Sequence, residues 1–481
     1  MKLKRLLITI AQNYQLSYKS LSLMRIGIAL VCLADLIIRV QDLTAHYTEN
    51  GMWPARLIKN FGWYDGYWSI HALFDTNGWE VFVFTLHIIS VICLLIGFKT
   101  RVSNLIVWLL YISLHNRNLF ILQAGDDLLR ICLFWGLLLP WQHEFSIDSL
   151  IKPSKKKQNL FANFGYLLLI ASVYIFTVLL KSSNEWRSEG SAIYFALSLD
   201  QLRLPFTGDW LYQQPQLMKI LTYIVYWIEI LIPIFILLPS RKYPFRFIGF
   251  LLLLALHIGI GLTMYVGLFY LINIVTALAL IPNSYLKWIR WFRKTKSPNS
   301  INKKKEIVYI NTLRNSIIVI IIFLNLLINL SALSWFSYEL ATPLRMPLNA
   351  LKFSQFWGMF SPSVLKQDGW FVYDGRDSQG RQYDMRLNQD YVDFKKPKHV
   401  VSMYKSDRWR KLAENMQNNN AFLRPLYCNY ILNKWNEEHP DKKLAALNLY
   451  YMNETNLADY KTTIPQKVLY CYCTNEFFPS N

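Results

Sequence analysis

The chain has 481 residues, 53% of them hydrophobic and 16% aromatic, with a mean hydropathy of +0.19 and a formal net charge of +20. That is too apolar for an ordinary soluble protein and too polar for a chain lying wholly in a membrane, so a helical bundle in the bilayer with a water-exposed domain is expected. A charge of this size would suit nucleic acid, but its placement in alternate loops argues against that partner.

Nine apolar stretches, at 22–40, 78–98, 102–121, 126–141, 161–181, 217–239, 244–263, 265–282 and 313–333, are expected to cross the bilayer. A helix of about 20 apolar residues spans its roughly 30 Å core. With the N-terminus in the cytoplasm, the inside segments hold 22 Lys and Arg, including Lys2, Lys4, Arg5, Lys155 to Lys157, Arg241, Lys242 and the run from Lys287 to Arg314. The outside loops hold five: Arg56, Lys59, Arg117, Arg187 and Arg203. This alternation follows the positive-inside rule and puts the segment after Leu333 on the outer side. The basic start runs into a polar stretch, Gln12 to Ser22, with no small-residue cleavage site, so a cleaved signal peptide is not expected. No internal repeat is evident, and the one biased block is Lys294 to Lys305.

Polar residues inside these stretches are the candidate functional groups, because charge there is costly and usually faces a bundle interior or water. Asp35 and Arg39, spaced i,i+4 near the outer end of the first stretch, are placed to pair. His115-Asn-Arg-Asn118 lies toward the outer end of the third. Asp126 and Asp127 open the fourth from the same side, where two carboxylates suit a helix N-terminus; Arg130 follows Asp127 by one turn. Lys181 ends the run Phe161 to Leu180, and its ammonium either snorkels to the headgroups or is held inside the bundle. Glu229 is in the middle of the sixth stretch and His257 about two-thirds of the way out along the seventh. Asp35, Asp126, Asp127, Lys181 and His257 thus share the outer half, which favours a polar cavity open to the outside. The plainer alternative is a set of separate ion pairs and bonded packing groups. Phosphate-loop, dinucleotide-binding, zinc-protease and nucleophile-elbow motifs are absent, and the eight His residues are scattered, so no preformed metal site is expected.

Residues 334–481 read as an α+β domain. Trp370 to Gly375, a turn at Arg376 to Gly380, and Arg381 to Leu387 form a strand–turn–strand pattern. Helices are expected from Ser406 to about Met416 and from Ala421 to Glu437, the second with Leu423, Leu426, Tyr427, Tyr430, Ile431 and Trp435 on one face. Two strands follow near 445–452 and 466–473. The aromatic entry Phe353-Ser-Gln-Phe-Trp-Gly-Met-Phe-Ser-Pro reads either as an interfacial anchor or as a lid over the bundle mouth. Cys32, Cys93 and Cys132 fall in apolar stretches as packing residues. Cys428, Cys471 and Cys473 fall in the outer domain, as buried thiols or, in an oxidising compartment, with one disulfide among them.

Several short segments also carry a family resemblance. They are Arg25-Ile-Gly-Ile-Ala-Leu with Asp35, Tyr47-Thr-Glu-Asn-Gly-Met-Trp-Pro54, His115-Asn-Arg-Asn118, Gly125-Asp-Asp-Leu-Leu-Arg130, Leu139-Pro-Trp141, and Lys181 with Trp186 and Gly190. In this order and spacing, over about residues 15–285, they resemble the HTTM family (horizontally transferred transmembrane domain), bacterial relatives of vitamin K-dependent γ-carboxylase. The resemblance implies a polytopic α-helical membrane protein: an HTTM-like bundle over residues 1–333 and an α+β domain over 334–481 on the periplasmic side of a bacterial inner membrane. Gln355 to Pro362 and Asp368-Gly-Trp370 resemble the tail of bacterial members.

In the carboxylases a Lys followed five residues later by Trp is the base that deprotonates reduced vitamin K; Lys181 and Trp186 match that spacing. The implied catalytic set is Lys181, His257, Asp126 and Asp127, the implied cofactor a reduced, vitamin K-like quinone, and the implied partners the lipid bilayer and a secreted peptide. His257 matches a carboxylase His in a later span. Near Gly125 to Asp127, however, this chain has carboxylates where the carboxylases have their active-site His, and its tail is shorter than their lumenal region. Three functions remain open: a lipid- or quinone-dependent enzyme modifying a secreted peptide, a non-catalytic factor for peptide maturation, export or immunity, and a transporter. The last is disfavoured by the lack of repeats.

Overall fold

The computed structural model describes residues 13–151, 158–240, 244–288, 312–336, 338, 340–417 and 420–475. Lys2, Lys4, Arg5, Lys152, Lys155 to Lys157, Arg241, Lys242 and the block from Lys294 to Lys305 lie outside the described residues.

Among the described residues six helices are long and apolar enough to cross a membrane: Tyr18–Val40, Asn77–Ile96, Leu160–Leu180, Pro215–Leu237, Phe245–Thr263 and Leu313–Leu330. The other three stretches expected to cross are helical but do not meet that measure. Thr100–Arg117 carries Arg101, His115, Asn116 and Arg117. Ala124–Leu138 has 15 residues, about 22 Å at 1.5 Å per residue. The eighth is turned at Gly267, where φ is positive, leaving only Phe269–Leu280 as an apolar helix. Nine apolar stretches therefore become six full-length helices and three shorter or more polar ones.

The long helices leave apolar stripes uncovered at helical spacing. Ile220, Ile224, Trp227, Leu231 and Ile234 are exposed along one helix, and Phe82, Leu86, Ile89, Ile92 and Ile96 along another. Patches of this extent are unusual on a water-facing monomer and are what helices present to lipid.

Hydrogen bonds gather the helix ends. The Gln158 side-chain amide donates to Leu16 O (2.6 Å), Tyr14 OH to Leu237 O (3.0 Å), Arg25 to Leu94 O (2.8 Å), Ser20 Oγ to Ile281 O (2.5 Å) and Asn159 to Asn315 Oδ1 (2.8 Å). These bonds put the starts of Tyr18–Val40, Leu160–Leu180 and Leu313–Leu330 beside the ends of Asn77–Ile96, Pro215–Leu237 and Phe269–Leu280. Arg39, Asp126 and Lys181 lie toward the opposite end.

The C-terminal domain is a four-stranded antiparallel sheet in the order β2-β1-β3-β4 with two helices. The strands are β1 (Gln367–Arg376), β2 (Gln382–Asp384), β3 (Ala446–Thr455) and β4 (Gln466–Thr474), and the helices Asp407–Gln417 and Leu423–Glu438. Both faces of β1 are covered, which explains its almost continuous burial. Trp370 and Val372 pack with Val400 on one face. Phe371 meets Tyr451 and Tyr470 on the other, at ring distances of 5.0 and 5.6 Å. The domain rests on the bundle end that carries Arg39: Asn415 donates to Phe120 O (2.8 Å), Asn456 to Ser198 O (3.0 Å) and Tyr460 OH to Tyr212 O (2.8 Å).

At the other end, Gly97 terminates Asn77–Ile96 with φ +70°. Its carbonyl accepts from Asp148 N (3.0 Å), and Asp148 in turn accepts from the N–H groups of Lys99 (2.8 Å) and Thr100 (2.7 Å), capping the next helix. A Cβ at Gly97 would overlap the Arg25 guanidinium and Ser146. Gly97→Ala is therefore expected to destabilise the protein by about 1–3 kcal/mol, seen as a lower unfolding temperature of the detergent-purified protein; an unchanged temperature would contradict this account.

Candidate functional site

Two buried ionic networks occupy the end of the bundle under the C-terminal domain. The first is built on Lys181, where Leu160–Leu180 stops: the Lys181 N–H still bonds Thr177 O, but its ψ of 75° leaves the helix. Its Nζ lies 2.7 Å from both carboxylate oxygens of Glu229, and both side chains are almost fully buried. The ammonium also sits 3.7 Å from the ring centroid of Trp186, which belongs to a π-helical turn, Glu185–Glu189. Glu229, mid-helix by counting, thus lies level with the Lys181 ammonium. Lys181 is held within the bundle and does not snorkel.

Tyr174 lies two turns before Lys181 on the same helix face. Its hydroxyl is 2.8 Å from His257 Nε2, while the buried His257 Nδ1 has no hydrogen-bond partner among the described residues. Phe269 packs edge-on against that imidazole at 5.5 Å. Helices Leu160–Leu180, Pro215–Leu237 and Phe245–Thr263 therefore contribute Lys181, Tyr174, Glu229 and His257 to one polar track.

Residues 353–366 close over this track. Trp357 O accepts from Thr177 Oγ1 (3.0 Å), Phe360 O from Trp186 Nε1 (2.9 Å) and Pro362 O from Ser183 N (3.2 Å); Val364 N donates to Glu185 Oε2 (2.9 Å). Trp357 is buried and Phe356 exposed.

The second network holds the acids. Asp35 Oδ2 accepts from Arg39 Nε (2.8 Å) and Asp126 Oδ1 from Arg39 (2.9 Å), while Arg39 also donates to Tyr47 OH (2.8 Å). From the C-terminal domain, Arg408 donates to Asp35 Oδ1 (2.6 Å), to both Asp126 oxygens (2.5 and 2.8 Å) and to Ile121 O (3.0 Å). Asp126 Oδ2 also accepts from Gln123 N (2.8 Å), capping its own helix. Asp127 pairs with Arg130 (2.6 Å), which also meets His115 Nδ1 (2.9 Å) and donates to Lys352 O (2.9 Å). The rest of the His115-Asn-Arg-Asn118 segment ties down loops: Asn116 donates to Trp68 O (2.9 Å), Arg117 to Trp53 O (2.7 Å) and Asp75 (2.9 Å), and Asn118 to His46 O (3.2 Å).

Of the four residues singled out from the sequence, Lys181 and His257 share the polar track, whereas Asp126 and Asp127 are engaged by arginines. A single cavity joining all four does not describe this arrangement. Asp35, His115 and Asp126 present ligand atoms within 4.8 Å of one another, but two guanidiniums already balance the two carboxylates, a setting hostile to a cation. Sequence reasoning singled out Glu229 without pairing it with Lys181 and passed over Arg408. The pairing was legible, because Glu229 is the sole acid in Pro215–Leu237, able to answer a buried lysine. Arg408 left no signal beyond the missing fourth charge.

Farther out, Asp200, Asp368 and Glu454 gather around Lys396, which pairs with Asp200 and Glu454. Burial and the neighbouring Asp200 charge push the Asp368 carboxyl up to about 7, opposed by the N–H groups of Asp200 and Gly369 and by Lys396. Burial, with Arg130 alongside, pushes the Lys352 ammonium down to about 7, against the pull of Asp127 and Asp126.

No protein-family model matches the chain, and no curated protein and no solved structure matches it either.

Two predictions follow from these networks. Arg408→Met leaves two buried carboxylates with one guanidinium and is expected to destabilise the docked domain by about 3–5 kcal/mol. The readout is a lower unfolding temperature and faster proteolytic release of the domain, with Arg408→Met/Asp126→Asn recovering much of the loss; a single variant as stable as the parent would refute the role. Asp368 has its pKa raised in the folded state, so its contribution is fully present below about pH 4 and is lost as pH rises toward 7, by on the order of 4 kcal/mol. Asp368→Asn, which keeps an acceptor for Asp200 N, is expected to flatten stability against pH across that window, and parallel curves would exclude this assignment.

Proposed function

We propose that this chain is an HTTM-type membrane protein, similar to vitamin K-dependent γ-carboxylase, in which Lys181 and Glu229 form a buried acid–base pair that acts on a secreted peptide. The observation that carries this reading is the Lys181 ammonium, enclosed by the Glu229 carboxylate, the Trp186 face and the segment 353–366. The proposed topology has nine passes, with the N-terminus in the cytoplasm and the C-terminal domain outside a bacterial inner membrane. It is supported by the alternating helix ends and by the docking of that domain at the end opposite the start of Tyr18–Val40.

The residues present fit, in kind, the reduced quinone implied by the resemblance: an amine, an unpartnered imidazole nitrogen at His257, and the aromatic faces of Trp186 and Phe269. Such a group supplies, when bound, an acidic hydroxyl and reducing equivalents. Lys181 accepts a proton at Nζ only after giving up its own, and Glu229 at 2.7 Å is the acceptor in place. Proton transfer within the pair removes both charges together, which a low-dielectric site favours. Tyr174 fixes the His257 ring through Nε2 and leaves Nδ1 turned to the interior.

The test separates chemistry from structure. Lys181→Met alone leaves Glu229 unpaired and is expected to destabilise the protein by about 3–5 kcal/mol, whereas Lys181→Met/Glu229→Gln regains stability. The double variant is nonetheless expected to lose modification of glutamates in co-expressed secreted peptides, read by mass spectrometry, and retention of a quinone in the detergent-purified protein. A stable double variant with full modification would sink the catalytic reading. A peptide partner recovered with no modification and no quinone would instead favour a non-catalytic maturation, export or immunity factor.

A further inference from the structure

Three cysteines meet in the C-terminal domain. Cys471 and Cys473 are two residues apart on β4, so their side chains share one face of the sheet. Helix Leu423–Glu438 covers that face and brings Cys428 onto it. The Cys428 thiol is fully buried and lies 3.7 Å from Leu447 O, and Leu447 is the cross-strand partner of Cys473. Cys428 has both β4 thiols as neighbours, and Leu449, on the same face of β3 as Leu447, is the cross-strand partner of Cys471. The register of β3 and β4 shifts between Leu449 and Tyr450, next to the Leu449–Cys471 pair, and Tyr470 is the unpaired extra residue. Cys473 is buried, whereas Cys471 is partly exposed. Cys428, Cys471 and Cys473 do not form a metal-binding group among the described residues, either alone or with a histidine or carboxylate. Gathering three thiolates around a soft cation would also concentrate negative charge in an apolar interior, whereas a disulfide is neutral.

We propose that Cys428, Cys471 and Cys473 form a thiol–disulfide relay, with Cys471 as the entry thiol and Cys428 as the shared partner. The co-reactant is a disulfide oxidant. The Cys471 thiolate attacks one of its sulfurs, forming a mixed disulfide and releasing one oxidant thiolate, which takes a proton. Cys428 then loses its proton and attacks the Cys471 sulfur, displacing the second oxidant thiolate. The protein has lost two electrons and two protons, and one oxidant disulfide has become two thiols. Cys473 can then attack the Cys428 sulfur, moving the bond to the buried Cys428–Cys473 pair and freeing Cys471 without further electron transfer. Contact with Cys471 and burial hold the Cys428 thiol above its ordinary range, and contact with Cys428 and burial do the same for Cys473, so the more exposed Cys471 is the natural first attacker.

Action of this relay in the cell rests on the proposed outer placement of the domain, where oxidants persist. The chemistry itself does not, and it is tested on the purified full-length protein in detergent with oxidised glutathione, alkylation of remaining thiols and peptide mass spectrometry. The parent is expected to yield a disulfide joining Cys428 to the β4 peptide. Cys428→Ser is expected to accumulate glutathione on Cys471 at least tenfold over the parent, Cys471→Ser to slow oxidation at least tenfold, and Cys473→Ser to stop at Cys428–Cys471. Equal glutathionylation of Cys471 in the parent and in Cys428→Ser, with no cross-link in the parent, would overturn the relay. So would a parent that stays fully reduced. Formation of the bond in vitro but not in cells would count against the outer placement and leave the relay chemistry standing.

Discussion

The structure depends on balancing two carboxylates that have been taken out of water. Asp35 and Asp126 are both buried at the end of the bundle, and Arg39, one turn from Asp35, supplies only one positive charge. The helix N-terminus at Asp126 adds a partial positive charge, too little for a second full anion. The balance closes only with Arg408, 373 residues from Asp35 in sequence. The bundle end and the C-terminal domain are therefore each electrostatically incomplete alone. A salt-bridge cluster of this kind contributes little net stability compared with apolar packing, but losing one partner is costly, so it fixes how the two parts fit.

That fit reaches the lysine site through covalent and hydrogen-bonded steps. Asp126 and Asp127 begin one helix, and Arg130 one turn later grips Asp127, His115 and the carbonyl of Lys352. Lys352 leads directly into residues 353–366, which bond to Thr177, Ser183, Trp186 and Glu185 around Lys181. Of the two acids near Lys181 in the sequence reading, Asp127 is thus linked through Arg130 to the start of the segment that covers it, and Asp126 is held by Arg39 and Arg408. The charge partner of Lys181 is Glu229. A carboxylate in that position stabilises the ammonium, but it also gives the proton somewhere to go, which a lone buried lysine lacks.

Local patterns in the sequence were sufficient for much of this architecture. The strand–turn–strand at 370–387, both domain helices and the last two strands lie within a few residues of their expected places, because each carries its own periodicity and turn residues. The pairs Asp35–Arg39 and Asp127–Arg130 were legible because helical spacing alone brings them together. What joins distant segments was not. Asp407-Arg-Trp-Arg reads as an ordinary polar helix start, and nothing local shows that Arg408 enters the bundle. Six of the nine expected crossings have the length and hydropathy of full spans, and hydropathy alone did not reveal that Gly267 turns the chain in the eighth stretch or that Ala124–Leu138 is short.

The segment 353–366 shows how two readings of one aromatic stretch divide between neighbouring residues. Carbonyl oxygens of Trp357, Phe360 and Pro362 and the N–H of Val364 make its bonds to the lysine site, so those bonds do not require aromatic side chains. The aromatic content has a separate cause. Phe353 packs edge-on against Phe134 at 4.8 Å and Trp357 is buried, which anchors the backbone at the depth where its carbonyls meet Thr177 and Trp186. Phe356 points outward and is exposed, as an aromatic at a membrane interface would be. Lid and anchor are therefore neighbouring parts of the same segment, and the lid keeps its position because Phe353 and Trp357 at its start are fixed.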